Sequence, residues 1–422
     1  MAHSLIAGVR RVYSMAAFYT LVTSMEALVP FILTPVLTRV LTPGAFGTWT
    51  IFVSLMTVFR PVVTASFNEA IRMHFFKLRP GQHSGFISSA ILLSIVITML
   101  LICLFFFFSQ PFIEFFQMPG NWLIAVFVGA LLYGIFYFLL AFNQFSNDRK
   151  NFALLHVTQS VISVVAILGF VFSGQGWEGA IMGKIIGLGG ALAIGLLWLT
   201  PLLDTGELAK PKKEHLPELA RFGVLYLPTG VGLVLAGITD RLIIAHEMDA
   251  SHVGFYGAAE LFGAVLALAV TGFLHGWMPW LFRRLEEAEG RATKEILLVS
   301  LVFFALLPVG AVVIYGASLI GAPLLLGASF QSAIDLIPWA IGAMATRAIF
   351  SHNQAFLHYK AKVAMMSISS LAFFLLNILF TFWLIVDYGV PGVFAATCAA
   401  YGVATVINSL FVFQCYRLPR ES

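Results

Sequence analysis

Residues 86–108 read FISSAILLSIVITMLLICLFFFF and contain no charged side chain. A helix that spans the hydrocarbon core of a bilayer needs about 20 apolar residues, so this stretch is long enough to cross a membrane. Residues 115–147, 151–177 and 363–386 are equally free of Asp, Glu, Lys and Arg. A transmembrane β-barrel would instead alternate apolar and polar residues in strands of about ten. The runs therefore predict an all-α polytopic membrane protein.

The composition of the whole chain agrees with that class. Hydrophobic side chains make up 60% of the 422 residues and charged ones 10%, whereas an ordinary soluble domain is about 45–50% apolar and about 25% charged. This excludes a soluble enzyme, a disordered protein and a fibrous repeat. The cysteines Cys103, Cys398 and Cys415 are scattered through apolar runs and form neither a disulfide framework nor a metal motif. Since the sequence also lacks a catalytic constellation and a nucleotide-binding loop, we expect no cofactor and no metal ion.

The apolar runs predict twelve transmembrane helices. Their approximate bounds are 13–38, 44–67, 85–109, 121–146, 152–173, 177–200, 220–245, 252–277, 294–318, 331–357, 363–386 and 391–415. Of the 24 Lys and Arg residues, 19 fall in the two tails and in, or at the edge of, alternate connections. Because cytoplasmic loops are the ones enriched in Lys and Arg, both termini are predicted to be cytoplasmic.

The chain also repeats itself at a period near 210 residues. Three pairs of segments match in order: 45–49 with 252–256, 143–144 with 353–354, and 179–195 with 392–408. The last pair carries small residues at every fourth position, which lets helices approach closely, and we expect this ridge to serve packing. The matches predict a duplicated unit of six helices.

Duplication of six helices predicts how the two copies are related. Because six is an even number, both copies enter the membrane from the cytoplasm, and parallel repeats are related by an axis along the membrane normal. We expect an N-terminal lobe at 1–205, a cytoplasmic linker at 206–219 and a C-terminal lobe at 220–422. The two six-helix lobes would then face each other across a central cleft, related by a pseudo-two-fold axis.

Five basic residues fall within the spans: Arg39, Arg60, Lys184, Arg241 and Arg347. Insertion scales give a cost of about 2.5–3.5 kcal/mol for each Lys or Arg at a helix centre, or on the order of 12–17 kcal/mol for five. Arg60 and Arg347 lie deepest, roughly 24 Å along their helices, and Lys184 lies about 10 Å in. Arg39 and Arg241 lie near the outer ends of helices 1 and 7, where a long side chain can instead snorkel to the interface.

Polar neighbours of the deepest cations indicate a wet cleft. Thr50, Ser54, Thr57, Arg60 and Thr64 follow one another at steps of three and four, so they share one face of helix 2. A polar stripe of this kind on a membrane helix is expected to face a neighbouring helix or a cavity rather than lipid.

Acidic residues in the spans are fewer than basic ones. Glu26, Asp240 and Glu260 stand against the five cations, so ion pairing alone leaves an excess of positive charge. Salt bridges of Glu26 or Asp240 with Arg60 or Arg241 are one explanation for the buried charges, and an anionic ligand is the explanation that the excess favours. Glu26, at mid-depth of helix 1, and Asp240 are candidate coupling residues for a proton or another cation, with a fixed salt bridge as the alternative.

Residues 37–49, LTRVLTPGAFGTW, resemble the R-x-L-x-P-x-x-F-G-x-W signature of polysaccharide transporters. These form the Wzx-type O-antigen flippase branch of the multidrug/oligosaccharidyl-lipid/polysaccharide exporter superfamily. Residues 239–244 (TDRLII), 253–256 (VGFY) and 277–280 (WMPW) are similar to that family's seventh and eighth helices. Together with the twelve spans, the similarity extends over nearly the whole chain.

The resemblance implies a function. A flippase of this family moves an undecaprenyl-pyrophosphate-linked oligosaccharide, such as the O-antigen unit of lipopolysaccharide or another surface polysaccharide unit, across the bacterial plasma membrane by alternating access, often with proton coupling. The implied partners are the lipid-linked oligosaccharide, membrane lipid, and the polysaccharide polymerase and chain-length machinery, with no nucleic acid. Cationic cavity residues of the family correspond to Arg60, Lys184 and Arg347 by type and depth.

The chemistry of such a substrate fits the residues independently. A pyrophosphate-linked glycan is anionic and bulky, so it needs a wet cationic cleft, in which Arg binds phosphate through forked hydrogen bonds and Lys acts as a point charge. A drug or cation antiporter of the same superfamily would favour an acidic cleft, and the lipid II flippase branch has fourteen helices. A membrane glycan polymerase or ligase would be an enzyme with a sizeable outer loop, which the short connections do not provide. Duplication disfavours a passive channel.

Overall fold

The computed structural model describes residues 22, 29–75, 78, 82–116, 118–146, 148–199, 210–223, 238–287, 294–360 and 362–417. Within these ranges the regular secondary structure is helical and contains no strand. Each main helix follows one of the apolar runs described above. The helices are α1 (Val29–Val40), α2 (Pro43–Val63), α3 (Phe67–His74), α4 (His83–Phe107), α5 (Ser109–Phe116), α6 (Gly120–Phe145), α7 (Arg149–Phe170), α8 (Gly176–Leu199), α9 (216–223), α10 (Thr239–Glu247), α11 (Ala250–Glu287), α12 (Lys294–Leu325), α13 (Gln331–Ile334), α14 (Ile337–Tyr359) and α15 (Val363–Arg417).

Seven helices in the described part of the chain are long and apolar enough to cross a membrane, or up to eight if the bent pair α13–α14 forms one span. Two of the seven, Arg149–Trp198 and Met365–Tyr416, are 50 and 52 residues long. A straight helix of 50 residues would measure about 75 Å, far more than the roughly 30 Å of a hydrocarbon core. Both therefore contain a break at which the chain turns back.

The two breaks have the same backbone conformation. Gly176, at the start of α8, has φ 60° and ψ −142°, and Gly389, inside α15, has φ 60° and ψ −142°. These dihedrals lie in the left-handed half of the map that only glycine adopts without strain. The two glycines are separated by the 213 residues that also separate the two small-residue ridges. This shared turn supports the duplication that the sequence predicts.

The small-residue ridges lie against the preceding helix in each hairpin. In α8, a side chain at Gly183 would overlap the backbone of Ile167 on α7, and one at Gly187 would overlap Ser163. In the second half of α15, Ala396 and Ala400 are fully buried. The predicted packing role of the ridge is confirmed, because the absence of side chains is what lets the two helices approach.

The chain divides into two compact units. The first contains the described residues up to Leu41 and from Thr48 to Ile238, and the second contains Thr42–Gly47 and the described residues from Thr239 onward. The described part of the predicted linker, from residue 210, is docked on the first unit. The Lys212 amide donates to Ser89 Oγ at 3.0 Å, and Leu219 is fully buried. The division between the compact units falls between Ile238 and Thr239, after the predicted linker at 206–219.

The signature motif near residue 45 makes a packing contact inside the second unit. A side chain at Gly47 would overlap the carbonyl of Ala250, and one at Gly254 would overlap the carbonyl of Pro43. Pro43 and Gly47 lie 207 residues before Ala250 and Gly254, which is the offset found for this pair of repeat segments. The two glycines of the repeated motif therefore form a reciprocal contact between the starts of α2 and α11.

Candidate functional site

The structure brings four of the predicted site residues together in two groups. Arg60 and Lys184 lie close together in the first unit, and Asp240 and Arg241 lie in the second. Of the other candidates, Arg39 is exposed at the end of α1 and Arg347 is exposed on α14, whereas Glu26 falls outside the described residues.

Arg60 lies near the end of α2, one turn before a residue that packs closely on α6. Gly134 of α6 is buried, and the methyl group of Thr64 occupies the place that a side chain at Gly134 would need. The Thr64 hydroxyl donates to the Arg60 carbonyl at 2.7 Å, one helical turn earlier. The contact thereby brings the Arg60 side chain against the face of α6 next to Gly134.

Aromatic rings surround the Arg60 guanidinium. Its central carbon lies 4.1 Å from the ring centre of Tyr137 and 5.4 Å from that of Tyr133, within the range of a cation–π interaction. The two phenol oxygens lie 3.5 Å apart. Among the side chains that the structure describes, no carboxylate forms an ion pair with Arg60. The charge of Arg60 is thus held by rings rather than neutralised by an anion.

Lys184 of α8 completes this group. Its ammonium nitrogen lies 5.6 Å from the ring centre of Tyr133, so the same ring contacts both cations. Arg60, Lys184, Tyr133 and Tyr137 form what we call the cationic cluster. It contains two positive charges and two phenol groups on three helices of the first unit, and its strongest hydrogen-bonding groups are donors.

The polar stripe on α2 plays a smaller part than the sequence predicts. The hydroxyl of Thr57 donates to the Val53 carbonyl at 2.9 Å, and that of Thr64 donates to the Arg60 carbonyl. Ser54 is buried. Two of the stripe's hydroxyl groups therefore satisfy their own helix, which leaves the guanidinium of Arg60 as the stripe's main donor for a ligand.

Asp240 is the centre of a second polar group. Its carboxylate accepts hydrogen bonds from Asn377 Nδ2 at 2.6 Å, Tyr256 Oη at 3.1 Å and Thr397 Oγ1 at 3.1 Å. These donors come from α11 and from the two halves of α15, on either side of the Gly389 break. The carboxylate consequently ties together four helical segments of the second unit through neutral donors.

Arg241, the next residue, has a carboxylate partner. Its guanidinium lies 2.5 Å from Glu260 of α11, and each side chain is about a quarter exposed. The sequence offered Glu26 and Asp240 as partners of Arg241; the structure shows an ion pair with Glu260, and Glu26 falls outside the described residues. The salt-bridge explanation of the buried charges therefore applies to Arg241, whose predicted part in substrate binding stays a prediction.

Sequence reasoning missed the residues that surround the charged groups. Tyr133 and Tyr137 lie four apart, on one face of α6 and on either side of Gly134, a pattern that was readable in an otherwise apolar run. Asn377 and Thr397 gave no such signal, because a single amide or hydroxyl in a membrane helix is ordinary. Within the described ranges, no group of three or more His, Cys, Asp and Glu side chains could hold a metal ion.

Comparisons with known proteins place the chain in a family. Residues 14–285 match the family model described as polysaccharide biosynthesis protein. A search of curated protein sequences gave no match. Among solved structures, an inward-facing multidrug resistance MATE family transporter of the MOP superfamily matches with a TM-score of 0.68 at 14% identity, over 92% of this chain and 94% of the other.

Two further solved structures have the same fold. The lipid II flippase MurJ, in an inward closed conformation, has a TM-score of 0.68 at 16% identity, over 94% of this chain and 87% of that one. A Vibrio cholerae MATE transporter has a TM-score of 0.59 at 13% identity, over 97% and 99%. The family match covers more than half of the chain and confirms the resemblance seen in its signature. The chain belongs to the polysaccharide biosynthesis protein family and has the fold of a multi-pass MOP superfamily transporter.

Proposed function

We propose that this protein is a flippase of the bacterial plasma membrane that moves a polyprenyl-pyrophosphate-linked oligosaccharide to the outer leaflet by alternating access. The observation that carries the proposal is the cationic cluster. Arg60 and Lys184 lie on helices that are long and apolar enough to span the membrane, and they are held by Tyr133 and Tyr137. A charge in such a position is costly unless a partner or a polar ligand compensates it.

A diphosphate headgroup matches the donors of the cluster. Guanidinium groups bind phosphoryl oxygens through two parallel hydrogen bonds, and an ammonium adds a compact positive charge. The phenols of Tyr133 and Tyr137 provide further donors. A cationic drug would be repelled by this cluster, so the residues favour an anionic substrate over the drug substrates of the MATE branch.

We further propose twelve transmembrane helices in two six-helix lobes related by a parallel repeat, with both termini in the cytoplasm. The glycine turns at Gly176 and Gly389 support the repeat, because positions 213 residues apart have one conformation. The predicted orientation follows from the distribution of Lys and Arg.

Coupling to a proton or another cation is proposed at Asp240. Its carboxylate accepts bonds from helical segments on both sides of the Gly389 break, so neutralising the carboxylate would weaken contacts among α10, α11 and α15. Glu26 stays a second coupling candidate from the sequence. Arg347 stays a candidate for substrate binding on the same basis, as does Arg39.

A deletion experiment tests the flippase proposal. The gene is removed in its native host, and the leaflet in which the lipid-linked glycan accumulates is measured by the accessibility of the glycan to a membrane-impermeant glycosidase or lectin. Accumulation on the cytoplasmic leaflet, reversed by the wild-type chain, is the expected result. Unpolymerised units on the outer leaflet would indicate a polymerase instead. Unchanged glycan together with increased drug sensitivity would indicate an antiporter.

A further inference from the structure

We infer that Tyr137 and Tyr133 are positioning residues of the anion-binding site: their rings hold the Arg60 guanidinium in place of a carboxylate and leave its positive charge available to phosphoryl oxygens, with the Lys184 ammonium on the face of the same Tyr133 ring. This inference rests on the proposed function for the identity of the anion. The placement of the cations by the rings is a property of the first unit alone and can be measured without a ligand.

The geometry supports a positioning role. The Arg60 guanidinium carbon lies 4.1 Å from the Tyr137 ring centre, and Tyr133 contacts both Arg60 and Lys184. An aromatic face attracts a cation through its quadrupole but carries no net charge. A cation held by a ring therefore keeps its full charge, whereas a cation held by a carboxylate loses most of its attraction for a second anion.

In the second unit, a carboxylate rather than an aromatic ring contacts the arginine. Arg241 lies 2.5 Å from Glu260 and is neutralised by it. An anionic ligand at Arg241 would have to displace a carboxylate that belongs to the protein. At Arg60 an anionic ligand would compete with ring contacts and not with an ion-paired carboxylate, so binding there would cost less free energy than at Arg241.

The sequence of α6 explains why both rings reach the cations. Tyr133 and Tyr137 are four residues apart and therefore lie on one face of the helix. Gly134 lies beside them and allows Thr64, the residue after the end of α2, to occupy the place that a side chain at position 134 would need. With a larger residue at position 134, Arg60 would lie farther from both rings. Gly134 therefore determines how closely Arg60 approaches α6, and the rings of Tyr133 and Tyr137 contact its guanidinium.

The ligand class follows from the donors. A guanidinium has five N–H groups and an ammonium three, and neither accepts a hydrogen bond. A guanidinium and an ammonium that contact the same ring match a ligand with several anionic oxygens on adjacent atoms. A diphosphate fits this description better than a single carboxylate does. The shared chemistry is a diphosphate, supplied either by the headgroup of a polyprenyl lipid or by free pyrophosphate.

The test uses the purified full-length chain in nanodiscs of bacterial lipid, with farnesyl pyrophosphate and inorganic pyrophosphate as separate probes. Tyr137→Phe keeps the ring, and Tyr137→Leu removes it. Tyr388→Leu is the matched control, because Tyr388 is an exposed tyrosine of α15. Binding is measured by calorimetry, and the ¹⁵N resonance of the Arg60 Nε–H group, assigned with Arg60→Lys, reports the ring contact without ligand.

We expect Tyr137→Leu to weaken binding of farnesyl pyrophosphate roughly tenfold and to remove the ring-current shift of the Arg60 resonance, while Tyr137→Phe and Tyr388→Leu keep both. Binding of the lipid probe alone would identify the source as a headgroup, and equal binding of inorganic pyrophosphate would identify the diphosphate itself. If the leucine variant folds, binds like wild type and keeps the shift, the positioning role is wrong. If wild type shows the shift but binds neither probe, the proposed function fails while the ring contact stands.

Discussion

The two units surround their buried charges in different ways. In the first unit, two tyrosine rings hold Arg60 and Lys184, and no described carboxylate pairs with Arg60. In the second unit, Glu260 neutralises Arg241, and three neutral donors hold the carboxylate of Asp240. The first arrangement keeps the positive charge of Arg60 available, and the second holds the negative charge of Asp240 in a fixed position.

Under the proposed function, this difference corresponds to two roles, anion binding in the first unit and ion coupling in the second. Position 60 corresponds, at the offset of 207 residues, to Ala267, so the repeat preserves the packing motifs but not the charged residues. The packing glycines recur because both copies must form the same helix contacts. The difference in charge is what the proposed function requires, because an anion site and a cation site need opposite surroundings.

The largest expected effect is loss of export on removal of a cation from the first unit. Arg60→Ala or Lys184→Ala is expected to abolish complementation of a deletion strain, because the diphosphate loses a charged donor at the membrane interior. Surface polysaccharide is measured on gels, and the amount of protein in the membrane by immunoblot. Arg284→Ala is the control, since Arg284 lies at the end of α11 and pairs with Glu287 and Glu295. Full complementation by both cluster variants would reject their role in substrate binding.

The next effect concerns Asp240. Asp240→Asn keeps the size of the side chain but removes the charge and places an amide against three donors. We expect transport to lose its dependence on the ion gradient, and the protein to lose on the order of 1–3 kcal/mol of stability because donors are left unpaired. Export into vesicles is measured with and without a proton gradient and with and without sodium. A variant whose transport still follows the gradient would exclude Asp240 as the coupling residue.

A smaller effect on stability is expected when the ion pair of the second unit is broken. Glu260→Gln leaves Arg241 without its anion, at an expected cost of about 2 kcal/mol, less than for a fully buried pair because both side chains are partly exposed. The double variant Arg241→Met, Glu260→Leu should recover most of this loss. Arg60→Met should cost less than Glu260→Gln, since it leaves no unpaired charge. Thermal unfolding in detergent measures all four chains, and a larger loss for Arg60→Met would contradict the comparison.

Much of this fold can be predicted from hydropathy, because the lengths of the apolar runs determine the lengths of the membrane helices. The predicted helices at 85–109 and 121–146 correspond to α4 and α6 within two residues at each end. Larger differences occur where a helix continues into polar surroundings. The helix predicted at 252–277 extends to Glu287. A hydropathy profile shows where the surroundings of the chain change from lipid to water, not where the last backbone hydrogen bond of a helix lies.

The candidate site could be predicted from the sequence only in part. Deep cations such as Arg60 stand out in a sequence because a charge in an apolar run is rare and costly. Their partners do not stand out. Nothing in the spacing of Arg241 and Glu260, 19 residues apart on different helices, favours this pair over Glu26 or Asp240. Partner choice depends on the rotation of each helix about its axis, which the structure fixes and a single sequence leaves open.

The smallest expected effect compares one substitution in the two units. Tyr256→Phe removes a hydroxyl that donates to the Asp240 carboxylate at 3.1 Å, and hydrogen bonds between membrane helices contribute roughly 0.6–1.7 kcal/mol. A charged acceptor places the expected loss near the upper end of that range. Tyr137→Phe keeps the ring that faces Arg60 and should cost less than about 0.6 kcal/mol by the same scale. Chemical unfolding of the two variants beside wild type measures the difference. Equal losses would mean that the hydroxyl, rather than the ring, matters in the first unit, and the contrast between aromatic and hydrogen-bonded charges would no longer hold.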